Sequence, residues 1–77
     1  MVLEMKTSLL AKTLVRAGQV RSFRVLTAQP AGWEAVEQAD HRIIHHWRYS
    51  DWHRVEWALG RFARAISELL DQGWHEA

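Results

Sequence analysis

The chain contains no cysteine. That excludes a disulfide as a source of stability, and it excludes a thiolate zinc site. Proline occurs once, at Pro30, so Gln29-Pro30-Ala31-Gly32 is the strongest chain reversal in the sequence. Glycine occurs four times, at positions that cannot form a glycine-rich phosphate loop. No apolar run approaches the roughly 18 residues that span a bilayer. The first 17 residues hold apolar positions, but Glu4, Lys6, Lys12 and Arg16 interrupt them. A secretory signal needs an unbroken apolar centre. These absences lead us to expect a soluble, cytoplasmic protein with no membrane partner.

What is present fits one small folded unit. Nearly half of the 77 residues are apolar, so a single domain spanning 1–77 is expected. A core of this size often supplies only about 3–5 kcal/mol, which leaves close packing or self-association to make up stability. Charge is unevenly placed. Residues 1–32 carry five Lys or Arg against Glu4, and residues 33–77 carry five Arg against eight acids. The first part is therefore net +4 and the second −3. The two halves facing one another, within the chain or across a dimer, accounts for that asymmetry. A basic segment for nucleic acid is the other reading.

Periodicity predicts the elements. Leu3, Leu10, Leu14 and Ala17 suggest an N-terminal helix over about Leu3–Ala17, stopped by Gly18. Val20–Thr27 alternates, with Phe23 and Val25 on one face and Ser22 and Arg24 on the other, as a half-buried strand does. Trp33–Tyr49 fits a hairpin of Trp33–Gln38 and Arg42–Tyr49 around Ala39-Asp40-His41. It also fits a helix whose apolar stripe Asp40 would interrupt. Trp52, Val55, Leu59, Phe62, Ile66 and Leu69 follow spacings of 3, 4, 3, 4 and 3, which predicts one amphipathic helix over about Asp51–Gln72. Ser50 or Asp51 can cap it, Gly73 can close it, and Trp74 can fold back onto Leu69. The expected fold is α+β: an N-terminal helix, a three-stranded antiparallel meander and the long C-terminal helix on one sheet face. An all-α bundle is the alternative if residues 33–49 are helical.

Candidate chemistry is sparse. The five histidines are His41, His45, His46, His53 and His75. On a strand, His45 and His46 point to opposite faces, and His41 lies about 13 Å from His45 along an extended chain. They do not suggest a metal site. Ser8, Ser22, Ser50 and Ser67 have simpler roles than nucleophile, and Glu34, Glu37 and Asp40 fit a solvated hairpin better than an acid–base pair. No catalysis and no cofactor are expected. Trp57 stands apart. It points away from the apolar stripe, among His53, Arg54, Gly60, Arg61 and Arg64. Exposed tryptophan and arginine are the types enriched at interface hot spots. Stacking of Trp57 across its own helix on Arg61 or Arg54 is the plainer alternative. On the expected sheet, Arg24, Arg42 and Arg48 would share an outer face with His46, a possible nucleic-acid contact.

Phe23, Val25, Gly32-Trp33, Ala58, Phe62 and Gly73-Trp74 form a layout of short strands followed by a long helix. It resembles WGR-type nucleic-acid-associated domains over about two thirds of the chain. The naming Trp-Gly-Arg triplet is missing; His46-Trp47-Arg48-Tyr49 stands where it would fall. The resemblance assigns no functional residue. The function expected from the sequence is a small bacterial-type, non-catalytic protein-interaction module that forms a homodimer. A nucleic-acid-binding accessory protein using the Arg and Trp surface is the alternative.

Overall fold

A computed structural model describes residues 8–28 and 30–77. Four strands follow in order: β1 (Ser8–Arg16), β2 (Gln19–Thr27), β3 (Trp33–Ala39) and β4 (Arg42–Tyr49). The helix α1 (Trp52–Asp71) and the short strand β5 (His75–Glu76) complete the chain. The strands form one antiparallel sheet in the order β4-β3-β2-β1-β5, and α1 lies on one of its faces. The class is α+β, but two expectations are corrected. Ser8–Arg16 is a strand where a helix was expected, and the sheet has five strands rather than three. Leu3, at the start of the expected helix, lies outside the described residues.

The reason for the first correction is numerical. A spacing of four, as from Leu10 to Leu14, returns a side chain to one face of a helix and equally to one face of a strand. Leu14 is fully buried against α1, with Leu10 packed beside it. Tertiary packing decides between the two readings. Gly18 then serves a hairpin and not a helix end. Ala17 (φ 48°) and Gly18 (φ 81°) both take positive φ in a two-residue loop that brings Arg16 opposite Gln19. Two successive positive φ values are the pattern of the type I′ turn, whose twist matches that of the flanking strands.

The second hairpin uses the same device without glycine. Asp40 (φ 49°) and His41 (φ 70°) join Ala39 to Arg42. Asp40 offsets the strain by docking on β2: its N–H donates to the Val20 carbonyl at 2.8 Å, and its Oδ1 accepts from the Val20 N–H at 2.8 Å. Residues 33–49 are therefore a hairpin, which removes the all-α alternative. Near its tip Gln38 pairs with Ile43 but Glu37 pairs with His45, so Ile44 is an extra residue in a one-residue bulge.

Paired residues of antiparallel strands project to the same face. Leu14, Phe23, Val25 and Ala35 thus meet Val55, Ala58, Phe62 and Ile66 of α1 in the core, with Phe23 and Phe62 edge to face at 5.2 Å. Charged groups on the same face sit at its margins, where Lys12 pairs with Glu76 and Arg21 with Glu37. Trp52 departs from its expected place in the core stripe. It is 44% exposed and packs at the helix start against Trp33, ring centroids 5.4 Å apart.

Both ends of α1 follow the sequence signals. The Asp51 side chain accepts from the His53 N–H at 3.0 Å. At the other end Gly73 (φ 95°) lets its own N–H reach the Leu70 carbonyl and the Trp74 N–H reach that of Leu69, the double closure of a Schellman motif. Trp74 is buried by that closure, with the Arg16 guanidinium over its ring, and the chain runs on into β5 beside β1.

Two glycines predict opposite outcomes. A Cβ on Gly32 (φ 95°) would lie 2.4 Å from the Tyr49 carbonyl oxygen. Gly32→Ala should cost about 2 kcal/mol or more by urea unfolding. A Cβ on Gly60 would meet nothing within 4 Å. Gly60→Ala should therefore stabilise by up to about 1 kcal/mol. Equal effects from the two would contradict this backbone account.

Candidate interaction surface

The stripe Val55, Ala58, Phe62 and Ile66 faces the sheet, which turns Arg54, Trp57, Arg61 and Arg64 to one flank of α1. That flank meets β4 at Arg61. The Arg61 guanidinium lies over the Trp57 ring at 4.9 Å and over the β4 ring of Trp47 at 5.6 Å. His45, two residues before Trp47 on the same strand face, stacks on Trp47 at 4.8 Å with rings 12° from parallel. His45, Trp47, Arg61 and Trp57 thus form a continuous ladder of flat groups from strand to helix. Trp57 is its outer end and remains 62% exposed despite the Arg61 contact.

Beside the ladder is an open concavity of about 680 Å³ lined by Tyr49, His53, Arg54, Glu56 and Trp57. Its walls are mainly apolar, supplied by the two aromatic rings and the stems of the longer side chains. Asp51 places it: the cap fixes the first turn of α1 directly after Tyr49, so His53 and Trp57, one turn apart, stand above the end of β4. The His53 ring lies 3.9 Å from Glu56 in a highly exposed pair worth little in water.

Of the residues singled out in the sequence, His53, Arg54 and Trp57 line one concavity, and Arg61 adjoins it. Arg64 is exposed further along the flank. Gly60 is exposed, and no ring or backbone approaches it among the described residues. Both readings of Trp57 are partly present: it stacks on Arg61, and it still exposes most of its surface. Sequence reasoning missed Tyr49, Trp47 and His45 as members of this surface. The signal was available, because the three alternate along β4 on one face.

The three sheet arginines do not make the expected patch. Arg24 and Arg48 lie on the face away from α1. Arg24 reaches the Gln38 side chain at 3.4 Å, and His46 between them contacts Glu34 at 3.1 Å. Arg42 pairs with Ala39, whose partner Arg21 lies on the helix side, so Arg42 belongs to the other face. The bulge at Ile44 causes the difference, since one extra residue reverses the alternation.

No group of three or more His, Asp or Glu side chains converges among the described residues. Glu34 and Glu37 project to opposite faces, and Asp40 is engaged by Val20. No helix among the described residues is long and apolar enough to cross a membrane. No family model, no curated protein and no solved structure matches the chain, so the WGR-type likeness carries no argument below.

Neighbouring substitutions should separate this surface from the core. Arg61→Ala removes two ring contacts at an exposed site and should cost no more than about 1 kcal/mol in denaturant unfolding. Phe62→Ala, one residue on, should cost about 3–5 kcal/mol. Trp57→Phe should remove a red-shifted, iodide-quenchable component of the tryptophan emission. Loss of a blue-shifted, unquenched component instead would contradict the exposure of Trp57.

Proposed function

We propose that the chain is a non-catalytic protein-interaction module of the cytoplasm, and that its contact surface is the Trp57 flank of α1 together with Tyr49. The observation that carries this reading is the exposure of Trp57 at 62% beside an open, mainly apolar concavity rimmed by arginine. Tryptophan, tyrosine and arginine combine large contact area with directional hydrogen bonding, and they dominate binding energy where they cluster. Folding gives little return for leaving an indole in water. The lack of cysteine suits the proposed compartment.

The test compares two folded variants with the wild type. Trp57→Ala and Arg54→Glu should keep the unfolding midpoint within the range of ordinary surface substitutions. In affinity capture from the source cell, both should lose the same proteins at least tenfold. Retention of an unchanged protein set by both variants would refute the assignment. Salt-sensitive binding to oligonucleotides, abolished by the same substitutions, would replace a protein partner with nucleic acid.

We infer in addition that the module works as a homodimer. The face of the sheet opposite α1 is covered by no described element, yet it carries the partly exposed Val15, Val20 and Leu26 among Arg24, Arg48 and Glu34. Charges of both signs let a second copy face it without like-charge repulsion, and the added burial would supplement a small core. Sedimentation equilibrium should give twice the monomer mass at high micromolar concentration. A monomer throughout that range would overturn the dimer and leave the Trp57 assignment standing.

A further inference from the structure

We propose that the cleft between the outer edge of β4 and the Trp57 flank of α1 receives an extended, acidic peptide segment of a partner protein, which joins the sheet as an added strand. The proposal rests on the reading of the Trp57 flank as an interaction surface, and it names the chemistry and conformation of the occupant.

Three observations converge on it. Among the described residues β4 is the outermost strand, with β3 alone beside it in the sheet. An edge of this kind is a template for another chain. Next, α1 follows β4 after the two linking residues Ser50 and Asp51 and returns over the sheet, with Arg61 resting on Trp47. A strand laid along β4 would send alternate side chains toward Tyr49, His53 and Trp57, where the open concavity lies. The edge and the concavity therefore serve one ligand, through its backbone and its side chains respectively.

Charge selects the ligand. Beside the concavity the first two turns of α1 and the turn after them present Arg54 and Arg61 against Glu56, a basic excess next to the run His45–Tyr49, which itself carries no acid. A second copy of β4 would bring like charges together across the new pair, which disfavours self-pairing at this edge. An acidic segment meets Arg54 and Arg61 on the side of the concavity. The bulge at Ile44 limits regular pairing to His45–Tyr49, so the bound run is about five residues.

The experiment is selection of a random peptide display library on the full chain, with counter-selection on folded Trp57→Ala. The expected consensus has Asp or Glu at alternate positions and no proline within the run. A synthetic consensus peptide should protect amides of His45–Tyr49 from hydrogen exchange. Methylating its backbone nitrogens at alternate positions should weaken binding at least tenfold in one phase and little in the other. Trp57-dependent peptides that are basic, that follow helical spacing, or that tolerate methylation in both phases would overturn strand addition while sparing the interaction surface. Failure to enrich any Trp57-dependent peptide would overturn both.

Discussion

One helix has to cover one face of a five-stranded sheet, and the remaining features follow from that mismatch. Twenty helical residues make a rod about 30 Å long and about 10 Å wide. Five strands spread over about 20 Å at their usual spacing. The rod crosses the sheet from the Trp33–Tyr49 end toward Arg16 and Trp74, as the contacts at its two ends show. Beneath it the sheet is fully apolar, with Leu14, Phe23, Val25 and Ala35 excluded from water. Away from it the same face turns to Lys12, Arg21 and Glu37, which pair at the margin. The aromatic residues take the boundary: Trp33, Trp47 and Tyr49 cover the sides of the core with rings that tolerate partial exposure.

The sequence was legible where one periodicity excluded the other. Spacings of 3 and 4 in alternation cannot fit a strand, so α1 and both its caps could be read from Asp51 to Trp74. The alternation of Val20–Thr27 cannot fit a helix. Leu10 and Leu14 gave no such exclusion, since a separation of four satisfies both. The turn that would have decided the matter, Ala17-Gly18, is equally a helix terminus and a I′ hairpin loop. Asp40-His41 was harder still, because both residues enter the left-handed region without glycine, held there by contacts to Val20, twenty positions away.

The candidate surface was legible to the same degree and for the same reason. Helical geometry alone put His53, Arg54, Trp57, Arg61 and Arg64 on the polar side of α1. It could not say which strand that side would border, so the alternation of His45, Trp47 and Tyr49 was readable but stayed unconnected to the helix. The outer sheet arginines failed through a single residue. A bulge leaves no mark in the residue types, yet Ile44 moves Arg42 to the opposite face and dissolves the patch with Arg24 and Arg48. A nucleic-acid reading that needs all three together loses its geometry with it.

The bulge and the arginines on β4 also bear on how an exposed edge persists in a folded protein. An eight-residue edge with Ile43 and Ile44 in solvent is a hazard, because identical chains can pair along it. The bulge interrupts the ladder at those two isoleucines, and Arg42 and Arg48 oppose a second copy of the same strand. Neither device closes the edge to a segment of opposite charge. Nor does either account for Trp57, which contributes little to the core and lies on the same side. Protection against self-pairing explains the charges alone; access for an acidic strand explains the charges, the open edge and the tryptophan together.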